Sequence, residues 1–85
     1  MSIFMAELYV ARTGADTVER AAERSRLAAE QLTRDGFPIR HLRWMFVPED
    51  ETCFLLYEAA SADAVREVGQ RAALIFERIA ETVEE

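Results

Sequence analysis

Lysine is absent from this chain, and cysteine and histidine occur once each, as Cys53 and His41. A lone cysteine cannot close an intrachain disulfide, so a disulfide-stapled scaffold is excluded. One imidazole is a thin basis for a metal centre built on histidine. Three glycines and two prolines leave little material for a phosphate-cradling loop. Basic charge is short as well: ten arginines face sixteen acids, a net charge of −6, and the pI is near 4.8. That balance opposes a nucleic-acid partner, whose phosphates attract Lys/Arg surfaces. Long apolar runs are also missing. Ile3–Ala6, Trp44–Val47 and Cys53–Tyr57 are each broken off by charge, whereas a membrane helix needs roughly 20 apolar residues. Met1–Ala6 carries no basic residue and meets Glu7 at once, unlike a signal peptide. A soluble cytoplasmic protein with no membrane partner is the expectation.

What the chain does have is a core's worth of apolar residues. Of its 85 residues, 51% are hydrophobic, too many for a disordered tail. One domain over residues 1–85 is expected. A domain of this size removes only roughly 60–65% of its unfolded surface from water, so it gains from a partner subunit.

Alternation predicts a first strand over Ile3–Arg12, with Phe4, Ala6, Leu8 and Val10 on one face and Met5, Glu7, Tyr9 and Ala11 on the other. Thr13-Gly14-Ala15 ends it. A helix follows from about Asp16 to Asp35. Asp16 and Glu19 have capping-box spacing. Val18, Ala21, Ala22, Ser25, Ala28, Ala29 and Leu32 form a narrow, alanine-rich stripe that lets a helix lie close to a sheet. The arginines and glutamates of the other side, Glu30 and Arg34 among them, read as a solvated, self-paired face. Gly36 and Pro38 stop the helix.

Ile39–Val47 alternates again, with Leu42, Trp44 and Phe46 on one side and His41, Arg43 and Met45 on the other. Pro48-Glu49-Asp50-Glu51 is a charged turn. Thr52–Glu58 is continuously apolar at its centre, as in a central strand. Ser61 is placed to cap a second helix from near Ala62, with Val65, Val68, Ala72 and Ala73 as its inner stripe. Beyond it the pattern is ambiguous. Residues 65–83 fit one long helix, or a break near Leu74–Arg78 and a last strand through Ile79, Glu81 and Val83. The order βαββαβ predicts an α+β, ferredoxin-like sandwich: a four-stranded antiparallel sheet with two helices on one face.

Cys53-Phe54-Leu55-Leu56-Tyr57-Glu58-Ala59-Ala60-Ser61 running into Ala64-Val65 resembles a strand-to-helix passage found in a family of small, mostly actinobacterial proteins that includes nickel-binding members. Phe76-Glu77-Arg78-Ile79-Ala80-Glu81 is similar to that family's closing strand. The resemblance implies a ferredoxin-like subunit that pairs into a dimer, and it favours the strand over a longer helix. Nickel-binding members carry imidazoles where this chain has Arg12, Gly69, Leu74 and Ala80, none of which ligates nickel. Their second helix is usually broken by glycine and proline, where Ala73 and Ile75 stand here. No metal and no cofactor are therefore expected.

If the apolar strand faces meet the helices, the uncovered face presents Glu7, Tyr9, His41 and Arg43, with Tyr57 on the strand between. These five residues are the expected dimer or ligand-binding face, with Glu7 and Arg43 as an ion pair. His41 titrates in the range of a general base but has no carboxylate placed beside it. Cys53 sits among apolar neighbours, unlike a nucleophile. Three readings stand side by side. The first is a small homodimeric binding or accessory protein for a small molecule, without catalysis. The second is a cofactor-free dimeric α+β-barrel enzyme, of monooxygenase or isomerase type, orienting a substrate with His41, Arg43, Tyr9 and Tyr57. The third is a nickel-binding protein using other ligands.

Overall fold

A computed structural model describes residues 1–83. In chain order the elements are β1 (Ser2–Tyr9), α1 (Ala15–Arg34), β2 (Ile39–Val47), a 3-10 turn at Pro48–Asp50, β3 (Thr52–Ala59), α2 (Ala62–Arg71) and β4 (Arg78–Glu81). The strands form one antiparallel sheet ordered β2-β3-β1-β4, with both helices packed on one face. This is the ferredoxin-like βαββαβ arrangement that the sequence pattern predicts.

The core lies between the helices and that face. Phe4, Ala6, Leu8 and Val10 are buried as expected, and they meet the stripe of α1, whose seven residues from Val18 to Leu32 are all buried. Small side chains in that stripe bring the helix backbone close to the sheet. β1 ends at Tyr9 rather than Arg12: the Val10 amide still donates to the Glu51 carbonyl at 3.1 Å, but the Glu51 amide is taken up by the Pro48 carbonyl in the turn, so no further pair forms. Gly14 is the N-cap of α1, without a side-chain bond, so the Asp16–Glu19 capping box does not form. A Cβ at Gly14 would lie 2.7 Å from Val10 Cγ1, which explains the glycine. Asp16 instead occupies the first turn, where the positive end of the helix dipole favours it. Ser61 takes the N-cap position of α2 with extended backbone, but its hydroxyl makes no capping bond.

Both helices close with the same paired bonds. At the end of α1, Gly36 N–H donates to Thr33 O and Phe37 N–H to Leu32 O, with Gly36 at φ 98°. At the end of α2, Ala73 N–H donates to Gln70 O and Leu74 N–H to Gly69 O, with Ala73 at φ 56°. This left-handed turn ends the second helix even though no glycine marks the place. The chain then runs back as β4, pairing Met5 with Ala80 and Ala6 with Ile79. The strand alternative of the sequence is thus the correct one. Val83 lies beyond β4 and is exposed, and residue 84 falls outside the described residues.

β2 departs from simple alternation. Its register on β3 shifts between His41 and Arg43, so Leu42 is an extra residue. Ile39 and His41 pair with Ala59 and Tyr57, and Trp44 and Phe46 with Leu55 and Cys53. Directly paired residues share a face, so His41 joins Trp44 and Phe46 on the helix side. Arg43 and Met45, paired with Leu56 and Phe54, stay on the open side. Trp44 sits at the sheet edge and remains 41% exposed, so it is not the core residue its pattern suggested.

Candidate functional site: the open sheet face and the α1–β2 cleft

The five expected site residues divide between two surfaces. Glu7, Tyr9 and Arg43 lie on the open face. His41 and Tyr57 lie beneath the helices, which corrects their expected placement. The cause for His41 is the extra residue in β2. For Tyr57 it is simple alternation along β3 with Cys53 and Leu55, all three fully buried.

On the open face, Met5, Met45, Phe54 and Leu56 make an apolar centre, flanked by Glu7, Tyr9 and Arg43. Glu7 does not pair with Arg43, because β3 lies between their strands. Its partner is Arg78 on the neighbouring β4, at 3.3 Å. Tyr9 is 62% exposed, and its hydroxyl reaches the Glu51 carboxylate at 3.4 Å. That carboxylate also accepts the Arg12 amide at 3.0 Å, tying the β2–β3 turn to the end of β1. Arg43 is exposed and makes no ion pair among the described residues.

Beneath the helices, the Ser25 hydroxyl oxygen lies 2.5 Å from the Tyr57 hydroxyl oxygen and 3.0 Å from His41 Nδ1. The His41 ring stands edge-on to the Tyr57 ring at 5.5 Å. Ser25 is the one polar residue in an otherwise aliphatic stripe, and that was the signal available in the sequence for this cluster. Burial pushes the Tyr57 hydroxyl pKa upward. Burial, and then the positive charge of Arg26, hold His41 below its ordinary value. Cys53, on the same face of β3, has its thiol pushed up to about 11 by burial, so it is a packing residue rather than a nucleophile.

His41 also forms part of the wall of a cleft of about 540 Å3 between α1 and β2. Thr33 joins the two elements there. Its hydroxyl donates to the Ile39 carbonyl at 2.8 Å and accepts the Ile39 amide at 3.0 Å. Arg26 bridges Glu23 and Glu30 along the rim, and its pKa is raised first by the hydrogen bond to Glu23. The expected Glu30–Arg34 pair is therefore replaced by Glu30–Arg26.

Nickel needs several nitrogen, sulfur or oxygen donors converging. Among the described residues, no three of His, Cys, Asp and Glu come together as a metal site. His41 Nδ1 is engaged by Ser25, and Cys53 is buried. At Gly69, where the resemblance would place an imidazole, the Phe76 ring packs so closely that a Cβ would lie 2.9 Å from it. Leu74 packs against the core, and Ala80 sits opposite Met5. The side chains of one chain do not fit the metal.

The fold, the strand order and the uncovered sheet face define a ferredoxin-like α+β protein. Residues 4–82 match the model of the family described as "Nickel responsive protein SCO4226-like", and the chain belongs to that family. Its fold is similar to that in the crystal structure of SCO4226 from Streptomyces coelicolor A3(2). The TM-score is 0.80 and the identity 24%, over 99% of each chain. No curated protein matches the chain.

Proposed function

We propose that this chain is a small, cytoplasmic ligand-binding or accessory subunit that works as a homodimer, joined through its open sheet faces and without catalysis of its own. The apolar centre of the open face carries this reading: Met45 is exposed and Met5 and Phe54 are half-buried, around a Leu56 that their packing already covers. Glu7 and Glu58 supply one sign of charge on that face, and Arg40 and Arg43 the other. A face that carries both signs can complement itself about a two-fold axis. A second copy would remove from water an apolar surface that a chain of this size gains from burying.

The enzymatic alternative is weaker. His41 and Tyr57 are turned away from Tyr9 and Arg43, so the four do not converge on one substrate. The family description ties relatives to nickel, but the donors present here do not assemble around that ion. Stoichiometric nickel in purified protein, measured by elemental analysis, would reverse this part of the reading.

Sedimentation equilibrium tests the dimer. A mass near twice 9.7 kDa at micromolar concentration is expected. A monomer of 9.7 kDa under those conditions would overturn the homodimer.

A further inference from the structure

The hydrogen atoms of the buried cluster can be counted. The Tyr57 hydroxyl has Ser25 Oγ as its one hydrogen-bond partner among the described residues. Tyr57 is fully buried, and an undonated hydroxyl hydrogen there would carry a desolvation cost, so Tyr57 donates to Ser25. Ser25 is fully buried as well, and its hydroxyl has one further partner among the described residues, His41 Nδ1. The serine therefore donates to that nitrogen, and the neutral ring carries its proton on Nε2. The chain Tyr57→Ser25→His41 runs in one direction, from β3 through α1 to β2.

A proton taken up by the imidazole goes to the bare nitrogen, Nδ1. That nitrogen lies 3.0 Å from Ser25 Oγ and becomes a donor aimed at a hydroxyl that is itself donating. The serine hydrogen can then turn only toward Tyr57, whose own hydrogen is left without an acceptor among the described residues. However the serine turns, one buried donor is left over, so an imidazolium and the intact chain exclude each other.

The surrounding charges do not receive the cation either. On α1, Arg26 opposes the proton, second to burial itself, and its carboxylate partners Glu23 and Glu30 are engaged by it. Glu30, Arg34 and Arg40 line the same cleft as His41, and the Arg40 guanidinium of β2 is on Glu58. On β3, burial holds the Tyr57 hydroxyl and the Cys53 thiol in their neutral forms. His41 is half-buried at the wall of the cleft, so a charged ring has a way to water. Other ties of α1 do not titrate with His41. Arg24 Nε donates to the Ala72 carbonyl at 3.0 Å, and Thr33 exchanges two bonds with Ile39.

We infer that Tyr57, Ser25 and His41 form a proton-triggered latch between α1 and the sheet, closed while the imidazole is neutral and opened, with His41 turning out toward the cleft, when Nδ1 takes a proton. The Tyr57 hydroxyl acts on Nδ1 only through Ser25, and as a positioning residue it sets where the latch opens. The latch lies within one subunit, on the helix side of the sheet, and does not depend on the dimer.

Protein carrying 15N-labelled histidine and 13Cζ-labelled tyrosine is titrated from pH 8 to 4.5 by NMR, with far-UV circular dichroism on the same samples. At pH 8 the ring should carry its proton on Nε2. The Tyr57 Cζ resonance should move with the same midpoint as the His41 nitrogens, while the dichroism is kept. Tyr57→Phe should raise the His41 midpoint by about half a pH unit or more, because the proton no longer strands a phenol. Ile79→Val, a core truncation on β4 away from the chain of hydroxyls, should leave it unchanged. A neutral ring protonated on Nδ1, a Tyr57 resonance indifferent to His41, an unmoved midpoint in Tyr57→Phe or an equal move in Ile79→Val would each overturn the latch. Loss of the dichroism at the His41 midpoint would overturn it too, because the event would then be global unfolding. Should Tyr57→Phe not fold, the tautomer and the shared midpoint in the unaltered chain decide the matter.

Discussion

The Ser25 and Tyr57 hydroxyl oxygens lie 2.5 Å apart between α1 and the central strand β3, with both residues fully buried. Helix and sheet are thus joined at this point by a polar contact inside an aliphatic interface. Its value depends on both partners being present. Replacing Ser25 with alanine strands a buried hydroxyl and exposes it to no water. Ser25→Ala should lower stability by about 1–3 kcal/mol in urea denaturation. Ser25→Ala with Tyr57→Phe should recover much of that loss, because the pair is then removed together. Two single losses that simply add in the double variant would show that the hydroxyls are not coupled.

The same cluster makes stability depend on pH. Burial, and then Arg26, hold His41 below its ordinary value of 6.5, so between the two pKa values the unfolded chain binds more protons than the folded one. This contribution is full above about 6.5 and is lost as the pH falls toward the folded pKa. The urea midpoint should therefore drop between pH 7.5 and 5. His41→Gln should flatten part of that drop. An NMR titration of the imidazole carbons should give a midpoint below 6.5, and a midpoint above it would contradict the assignment.

Ala73 holds a left-handed conformation, at φ 56°, at the close of α2. A non-glycine residue there costs roughly 1–2 kcal/mol, and glycine gives back part of that through its larger unfolded-state freedom. Ala73→Gly should stabilise the chain by about 0.5–1 kcal/mol. Thermal unfolding reads this directly, and a lowered melting temperature would mean that the turn is not as described.

Arg43 stands exposed on the open face beside the apolar centre and has no ion-pair partner among the described residues. Arg43→Glu should leave the urea midpoint of the subunit within about 0.5 kcal/mol, as for most surface changes. It should weaken self-association clearly, since it reverses one of the two positive charges, and the only one of them without an ion pair among the described residues, on a face proposed to meet its own copy. A variant that remains dimeric at micromolar concentration in sedimentation would remove the open face from the interface.

Much of this fold was legible from periodicity. The stripe of α1 is buried residue for residue, and Phe4, Ala6, Leu8 and Val10 face it, because burial by a helix and a sheet imposes different repeats on a chain. The candidate site was legible only in part. Glu7, Tyr9 and Arg43 are on the open face as read, while His41 and Tyr57 are not. Ser25, which holds those two, was visible only as an odd serine among alanines. Capping failed where short polar residues of the right type, Asp16 and Ser61, make no side-chain bond at their helix starts.

Composition and spacing alone determined the order of elements as far as the second helix and the absence of an intrachain disulfide, because these follow from residue type and local repeat. Tertiary structure decided the face of His41, the end of α2 and the partner of Glu7. One extra residue in β2 reverses the parity of everything before it, and no local pattern encodes where pairing will slip. The left-handed turn at Ala73 is held by bonds back to Gly69 and Gln70 and by the pairing of β4 with β1. Glu7 meets Arg78 because strand order places the chain's last strand beside its first, a relation between residues 71 positions apart.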